Sequence, residues 1–135
     1  YIGQYSSIKT QIRMCQINHN AHINYKIYEM KDSNITKKMT QQILEQKKYN
    51  QIKKLNVHYN RKIKNVNHLA NTLIELNCSY SGIDQNGIKY LKILQKLNAS
   101  NNIKINNVNH LTNTLIELNC ESCCGINQDG IKYLK

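Results

Sequence analysis

The sequence repeats with a period of 21 residues, and this repeat constrains the fold more than any other feature. Residues 115–123, LIELNCESC, nearly copy residues 73–81, LIELNCSYS, which lie 42 positions earlier. Related segments at 52–60 and 94–102 begin midway between these copies, so apolar residues recur at 52, 73, 94 and 115. A unit of this length cannot bury its own apolar edge, and neighbouring units must therefore stack to form a continuous core.

Each unit carries apolar residues at its positions 1, 4 and 6, and a small or polar residue at its position 9. Alternate residues of a strand share a face, so unit positions 4 and 6 point inward while 3, 5 and 7 point outward. The units starting at 52 and 94 then space apolar residues three apart, which predicts a tight helical turn. The units starting at 73 and 115 continue through Gly87 or Gly130 into a short α-helix. We therefore predict an α/β fold, with a parallel sheet on one side and short helical turns on the other.

This pattern resembles the leucine-rich repeat, in which leucines at positions 1, 4 and 6 precede an Asn or Cys at position 9. Asn60 and Asn102 match the family's Asn and Cys123 matches its Cys, whereas Ser81 departs from the pattern. The run at 123–134 resembles the cysteine-containing variety found in F-box proteins. The Asn-, Ile- and Lys-rich composition is similar to repeat proteins of amoebal giant viruses and AT-rich protists.

The resemblance implies a solenoid with its parallel sheet on the concave face and short helices or 3-10 turns on the convex face. It also implies that the residue at position 9 bonds the backbone of the turn leaving the strand, which builds an inner ladder. Four leucine-rich repeats of 21 residues would occupy 52–135. Members of the family generally present the concave face to a protein ligand.

The N-terminal part of the chain follows the repeat less closely. Residues 25–51 share the apolar spacings of the strand region, so we interpret them as a degenerate first repeat. This unit is predicted to carry a helix over about 36–49, whose buried side consists of Met39, Ile43 and Leu44. Residues 1–24 are predicted to form an N-terminal helical cap over the open end of the stack. The alternative is a remnant of an F-box-like module, because F-box proteins place a small helical module ahead of such repeats.

Stacked units place equivalent outward positions about 4.8 Å apart, in columns that cross the sheet. Position 5 is always asparagine, position 3 alternates between lysine and glutamate, and positions 7 and 8 vary most. One interpretation is that the columns only make the sheet soluble, with amides bonding their neighbours and exposed ion pairs adding little stability. They could instead line a partner-binding surface, for which the aromatic side chains are the better anchors. The candidate partner-binding residues are Lys54, Asn56, His58, Tyr59, Glu75, Asn77, Ser79, Tyr80, Lys96, Asn98, Ser100, Glu117, Asn119 and Glu121.

The five cysteines are odd in number and have no secretory context, which favours reduced thiols over disulfides. We expect Cys78 and Cys120 in the core, Cys123 in the inner ladder and Cys124 partly exposed. Three thiols within 120–124 do not supply the four converging ligands of a structural zinc site. No carboxylate pair, Ser-His-Asp set or phosphate-binding loop is present either. We therefore expect neither a metal nor a cofactor, and no enzymatic activity.

The formal net charge is +11, which would normally indicate a nucleic acid or another polyanion as partner. However, the chain contains 17 lysines and only two arginines, Arg13 and Arg61. A bias towards Asn, Lys, Ile and Tyr is typical of an AT-rich genome, so most lysines are interpreted as solvated. Nucleic-acid or polyanion binding through the lysines of 37–54 remains an alternative.

The function predicted from the sequence is that of a non-catalytic scaffold for protein–protein interaction, which binds its partner through the concave sheet face. One alternative is the substrate-recognition arm of an F-box-type ubiquitin ligase adaptor, and the second is the polyanion binding described above. No membrane span or secretory signal is visible, so we expect an intracellular protein. Nothing after Lys135 covers the fourth repeat, so we also expect self-association through this uncapped C-terminal end, or further repeats beyond it.

Overall fold

The computed structural model describes residues 26–135. The helical cap predicted over 1–24, and the F-box alternative for it, lie outside the described residues. Within them, five short strands form one all-parallel sheet, in the order β1-β2-β3-β4-β5 along both the chain and the sheet. The strands are β1 (Glu29–Met30), β2 (Lys54–Asn56), β3 (Glu75–Asn77), β4 (Lys96–Asn98) and β5 (Glu117–Asn119). The predicted α/β class and parallel sheet are confirmed.

The strand register reproduces the 21-residue period. Lys54 pairs with Glu75, Glu75 with Lys96, and Lys96 with Glu117, each a step of one unit. The step from Glu29 to Lys54 is four residues longer, since the first unit is longer. The described part of this segment, residues 26–51, therefore contributes its own strand to the sheet, while its interpretation as a degenerate repeat stays a prediction.

Short helical segments connect the strands. They are α1 (Ser33–Thr36), α2 (Gln41–Leu44) and α3 (Gln85–Ile88), and the 3-10 turns η1 (Lys47–Tyr49), η2 (Asn67–Leu69), η3 (Asn109–Leu111) and η4 (Asp129–Ile131). The tight turns predicted for the units starting at 52 and 94 are confirmed as η2 and η3. The α-helix predicted for the unit starting at 73 is confirmed as α3, but its counterpart in the last unit is the 3-10 turn η4.

The single helix predicted over about 36–49 is wrong. Thr40 has an extended backbone, with φ −101° and ψ 166°, which separates α1 from α2. Its hydroxyl accepts a hydrogen bond from the backbone N–H of Ile43, so the threonine starts a new helix rather than continuing the old one. Met39 and Leu44 are buried as predicted, whereas Ile43 lies on the solvent side and is 37% exposed.

One continuous core lies between the inner face of the sheet and the helical segments. Leucines at unit positions 1 and 4, such as Leu73, Leu76 and Leu94, are at most 2% exposed. They belong to the same apolar cluster as the buried residues of η2, α3 and η3. The equivalent Leu115 and Leu118 of the last unit are only partly buried, because they pack against the core from one side.

The asparagines at unit position 9 form the predicted bonds to the turns. The Nδ2 group of the buried Asn60 donates to the carbonyl oxygens of Thr36 and Met39, at 2.6 and 2.8 Å. Its Oδ1 accepts from the backbone N–H groups of Lys62 and Ile63, at 2.8 and 3.0 Å. Asn102 makes three comparable bonds to the unit before it and to its own turn. The hydroxyl of Ser81 makes one bond of this kind, because it accepts a hydrogen bond from the backbone N–H of Ile83.

Cys123 does not join the inner ladder, and its placement there is wrong. The segment between β5 and Gly125 is one residue longer than the equivalent segment between β3 and Gly82. Both glycines keep the same contact, donating their N–H to the carbonyl of the asparagine at position 9 of the preceding unit. The extra residue is therefore accommodated in the turn, where Cys120 and Cys124 form a disulfide and Cys123 is exposed. The expectation of reduced thiols is also wrong for this pair.

Amide side chains connect neighbouring units on the helical side, and two kinds of contact alternate. The Oε1 atom of Gln41 accepts hydrogen bonds from two backbone N–H groups of the next unit, and its Nε2 group donates to a backbone carbonyl of that unit. Gln85, two units later, makes the same three bonds. In between, Asn67 donates to the carbonyl of Asn86 and accepts from a nearby N–H, and Asn109 repeats this pattern. We call these contacts the glutamine clamp and the asparagine clamp.

Candidate ligand-binding face

The outward side of β1–β5 carries unit positions 3 and 5, and we call it the sheet face. At position 3 the charge alternates from strand to strand through Glu29, Lys54, Glu75, Lys96 and Glu117. Two ion pairs cross the strands, one of 3.0 Å between β2 and β3 and one of 2.6 Å between β4 and β5. Hydrogen bonding to the glutamate raises the pKa of each lysine, and its negative charge adds to the effect. The sheet face is therefore electrically balanced although the chain is strongly basic.

The asparagines at position 5 do not bond one another, contrary to the simplest expectation for an amide column. Each Oδ1 accepts a hydrogen bond of 3.0–3.1 Å from the backbone N–H two residues later, which caps the end of the strand. Since an N–H donor faces the side chain, the oxygen must be the atom turned back, and the Nδ2 group points away. The Nδ2 of Asn56 donates to the carbonyl of Lys31 at 2.9 Å. Within the described residues, the other three Nδ2 groups have no acceptor; they belong to Asn77, Asn98 and Asn119.

An open groove of about 360 Å³ runs along the sheet face and crosses β2 to β5. Position 3 and position 5 residues line it, and the edges of the inward leucines form its floor. Lys31, which the sequence pattern did not single out, extends the groove beside β1 and pairs with Glu29 at 2.9 Å. Because Glu29 and Met30 pair with Lys54 and Leu55, Lys31 occupies the equivalent of position 5, which the irregular first unit concealed in the sequence.

The variable positions 7 and 8 form an aromatic cluster of His58, Tyr59 and Tyr80 where β2 and β3 end. The two tyrosine rings stack, with centroids 4.6 Å apart and an interplanar angle of 9°. The His58 ring meets both of them edge-on, at 4.3 and 5.8 Å. Tyr59 is 50% exposed and Tyr80 38% exposed, and the Lys37 ammonium lies 5.9 Å from the Tyr59 ring centroid. The predicted aromatic contact residues thus come together and remain accessible.

Ser79 was predicted to be an exposed, partner-binding residue, and the prediction that it is exposed is wrong. The residue is only 4% exposed, since the imidazole of His58 covers it. Its hydroxyl donates to the Oδ1 of Asn77 at 2.7 Å, so it accepts from the Nδ1–H of His58. Ser79 therefore orients His58 rather than contacting a ligand. Ser100 donates instead to the Oδ1 of the asparagine on the next strand, at 2.7 Å.

Position 8 adopts a left-handed backbone in each of the four regular units. The φ values are 59° at Tyr59, 53° at Tyr80, 56° at Asn101 and 61° at Ser122. Asparagine tolerates this conformation, whereas bulky side chains rarely adopt it. Asn101 could have indicated this left-handed turn in the sequence, but the tyrosines at the equivalent positions 59 and 80 argued against it.

No other chemistry converges in the described part of the chain. Among residues 26–135, no three His, Cys, Asp or Glu side chains lie where they could hold a metal ion. Over the same range no helix combines the length and apolar character needed to cross a membrane. Burial raises the pKa of the Cys78 thiol to about 12, so this cysteine stays protonated in the core. No protein-family model, curated protein or solved structure matches the chain.

Proposed function

We propose that the chain is a leucine-rich-repeat type of solenoid whose sheet face binds an extended segment of a protein partner, without catalysis. The row of free Nδ2 groups on Asn77, Asn98 and Asn119 carries this proposal. A polar group that has no partner on a surface is available to bind a ligand. Here three identical donors are repeated at the spacing of parallel strands, about 4.8 Å.

The proposed partner is rich in acceptors. Amide N–H groups bind backbone carbonyl oxygens or carboxylates, and a chain segment running across the strands would meet the donors in succession. The ion pairs beside them, Lys54 with Glu75 and Lys96 with Glu117, leave the groove without a large net charge. A neutral or mildly acidic peptide therefore fits the groove better than a polyanion does. The aromatic cluster at the end of the strands would supply an apolar anchor.

A substitution can remove one donor without removing the strand cap. In the Asn98→Asp variant, a carboxylate oxygen still accepts from the backbone N–H of Ser100, but the Nδ2 donor is lost. Random peptides displayed on phage would be selected against the full chain, and a selected peptide then titrated into isotope-labelled protein. The side-chain amide signals of Asn77, Asn98 and Asn119 should shift. The variant should weaken the peptide at least fivefold, roughly the value of one lost hydrogen bond.

Asn113→Asp is the matched control, because this exposed residue undergoes the same charge change outside the strands. It should leave the affinity for the peptide unchanged. Peptides that shift signals only elsewhere, or that bind the Asn98→Asp and wild-type chains equally, would contradict the proposal.

The two alternatives from the sequence stand differently. The ubiquitin-ligase adaptor depends on residues 1–24, which lie outside the described part, and it stays a prediction. Most lysines of 37–54 make separate contacts within the chain. Lys54 forms an ion pair, and Lys37, Lys48 and Lys53 lie over tyrosine rings. These separate contacts favour a protein ligand over a polyanion at this segment. The intracellular location and self-association through the last unit also stay predictions.

A further inference from the structure

A second cavity, of about 290 Å³, lies beside Tyr80 at the turns that leave the strands. Arg61, Asn101 and Lys104 border it together with the tyrosine, and no carboxylate does. It is separate from the groove on the sheet face, with which it shares no lining residue. We call it the Tyr80 cavity. Its lining comprises one tyrosine, two cationic residues and two asparagines, together with Ser81 and Ile103.

Three of the polar side chains that border the Tyr80 cavity, Arg61, Asn101 and Lys104, have no hydrogen-bond or ion-pair partner within the described residues. The side-chain amide of Asn101 makes no hydrogen bond there, unlike that of its neighbour Asn102, which makes three. The guanidinium of Arg61 and the ammonium of Lys104 form no ion pair with any described carboxylate. Arginine is also rare, at two of 19 cationic side chains, so the compositional bias that accounts for the lysines does not account for Arg61.

The turn itself does not call for tyrosine. Asn101 shows that asparagine suits its left-handed backbone, yet Tyr59 and Tyr80 adopt the same conformation with φ near 55°. Tyr59 covers one face of the Tyr80 ring, so the ring of this cavity-lining residue has its other face and its edge to offer a ligand. The short side chain of Asn101 occupies the next place in this column. Since Asn101 has no ring, the stack of rings ends at Tyr80, beside the cavity.

We propose that the Tyr80 cavity binds a nucleotide. The base stacks on Tyr80, the amide of Asn101 hydrogen-bonds an edge of the base, and Arg61 and Lys104 bind the phosphate. Stacking on an aromatic side chain with cations nearby is how proteins commonly hold unpaired bases. An aromatic side chain of a peptide would stack equally well but would leave both cations unpaired. The inference does not depend on the proposed function, because the cavity shares no lining residue with the groove on the sheet face; the two sites have only Tyr80 of the aromatic cluster in common.

Two sources share this chemistry, a free mononucleotide and a nucleotide within a single-stranded nucleic acid. AMP would be titrated into the isotope-labelled full chain and followed by NMR, with inorganic phosphate as comparison. A fluorescein-labelled oligoadenylate would be titrated by anisotropy at low and moderate salt. The test variants are Tyr80→Asn, which installs the residue that this turn accepts at Asn101, and Arg61→Gln. Circular dichroism would verify the fold of each.

The matched controls lie on the helical side. Tyr90 is 58% exposed and has the Lys89 ammonium 5.4 Å from its ring centroid, so it resembles the site without its cavity. Tyr90→Asn removes a ring that is more accessible than that of Tyr80, and Lys89→Gln removes one positive charge. Neither control should change the binding of AMP or oligoadenylate beyond the small uniform effect of net charge.

The expected result is a loss of affinity of between about fivefold and a hundredfold for Tyr80→Asn. Arg61→Gln should weaken binding and reduce the slope of log K against log salt for the oligonucleotide by about 1. Binding of both ligands identifies a mononucleotide site, and binding of the oligonucleotide alone identifies a single-strand site. Absence of binding by either ligand would overturn the proposal. Equal losses in Tyr80→Asn and Tyr90→Asn, or phosphate as good a ligand as AMP, would overturn it as well.

Discussion

The Asn60→Ser substitution is predicted to destabilise the chain by about 3 kcal/mol. The side chain of Asn60 is 1% exposed and makes four hydrogen bonds, two as donor to the first unit and two as acceptor within its own turn. Serine occupies the equivalent position at Ser81 and makes one such bond. Three bonds are thus lost, each with a net value of about 1 kcal/mol. After the substitution, the carbonyl oxygen of Thr36 still accepts a hydrogen bond from the backbone N–H of Met39. The carbonyl oxygen of Met39 loses its bond to the Asn60 Nδ2 group, and no other described donor replaces it.

Equilibrium unfolding in urea, followed by far-ultraviolet circular dichroism, measures this loss directly. A domain of this size is stable by roughly 5–15 kcal/mol, so the midpoint should fall clearly. The control is Asn71→Ser, because Asn71 is exposed and its side chain has no hydrogen bond within the described residues. That change should stay within about 0.5 kcal/mol of the wild type. A loss below about 1 kcal/mol for Asn60→Ser, or a loss equal to that of the control, would refute the reasoning.

Three further predictions follow from the packing and titration of particular groups. Gly87→Ala should lower the melting temperature and cost about 2 kcal/mol, although alanine normally favours a helix, because the added methyl group would collide with a backbone carbonyl of the preceding unit. Burial lowers the pKa of His68 and His110, so the unfolded chain takes up protons first. Stability should therefore fall as the pH drops below about 6.5, and urea midpoints of a variant with glutamine at both positions should fall less. Iodoacetamide should alkylate Cys123 but not Cys78 in the native chain, as peptide mass spectrometry would show.

The 21-residue repeat makes the parallel sheet predictable from the sequence alone. Apolar residues at fixed unit positions place Leu55, Leu76 and Leu97 on one face, and a one-residue error in register would have turned them all to the other. The columns of the sheet face follow from the same register, which is why the alternation of Lys54 and Glu75 could be foreseen. The period determines which residues are neighbours across the strands, and this is sufficient to predict both the buried leucines and the alternating charges.

Features that depend on single residues could not be obtained from the period. Thr40 divides a pattern that reads as one helix, because a threonine can either continue a helix or cap the next one, and tertiary contacts decide between them. Ser79 occupies an outward position, but His58 folds over it. The inserted residue near Cys124 shifts the cysteines out of register with the family pattern, so the ladder position assigned to Cys123 was one that the turn no longer provides.

The alternating clamps determine how such a chain can change in length. A glutamine clamp always precedes an asparagine clamp, and lysine always faces glutamate at position 3. Excision of a single 21-residue unit would bring together two units of the same kind, which would set like charges side by side and leave amide groups without their acceptors. Excision or duplication of 42 residues preserves the alternation of the two clamps and that of lysine and glutamate at position 3. Recombination can therefore lengthen or shorten this stack freely only in steps of two units, so the heritable module is twice the size of the structural one.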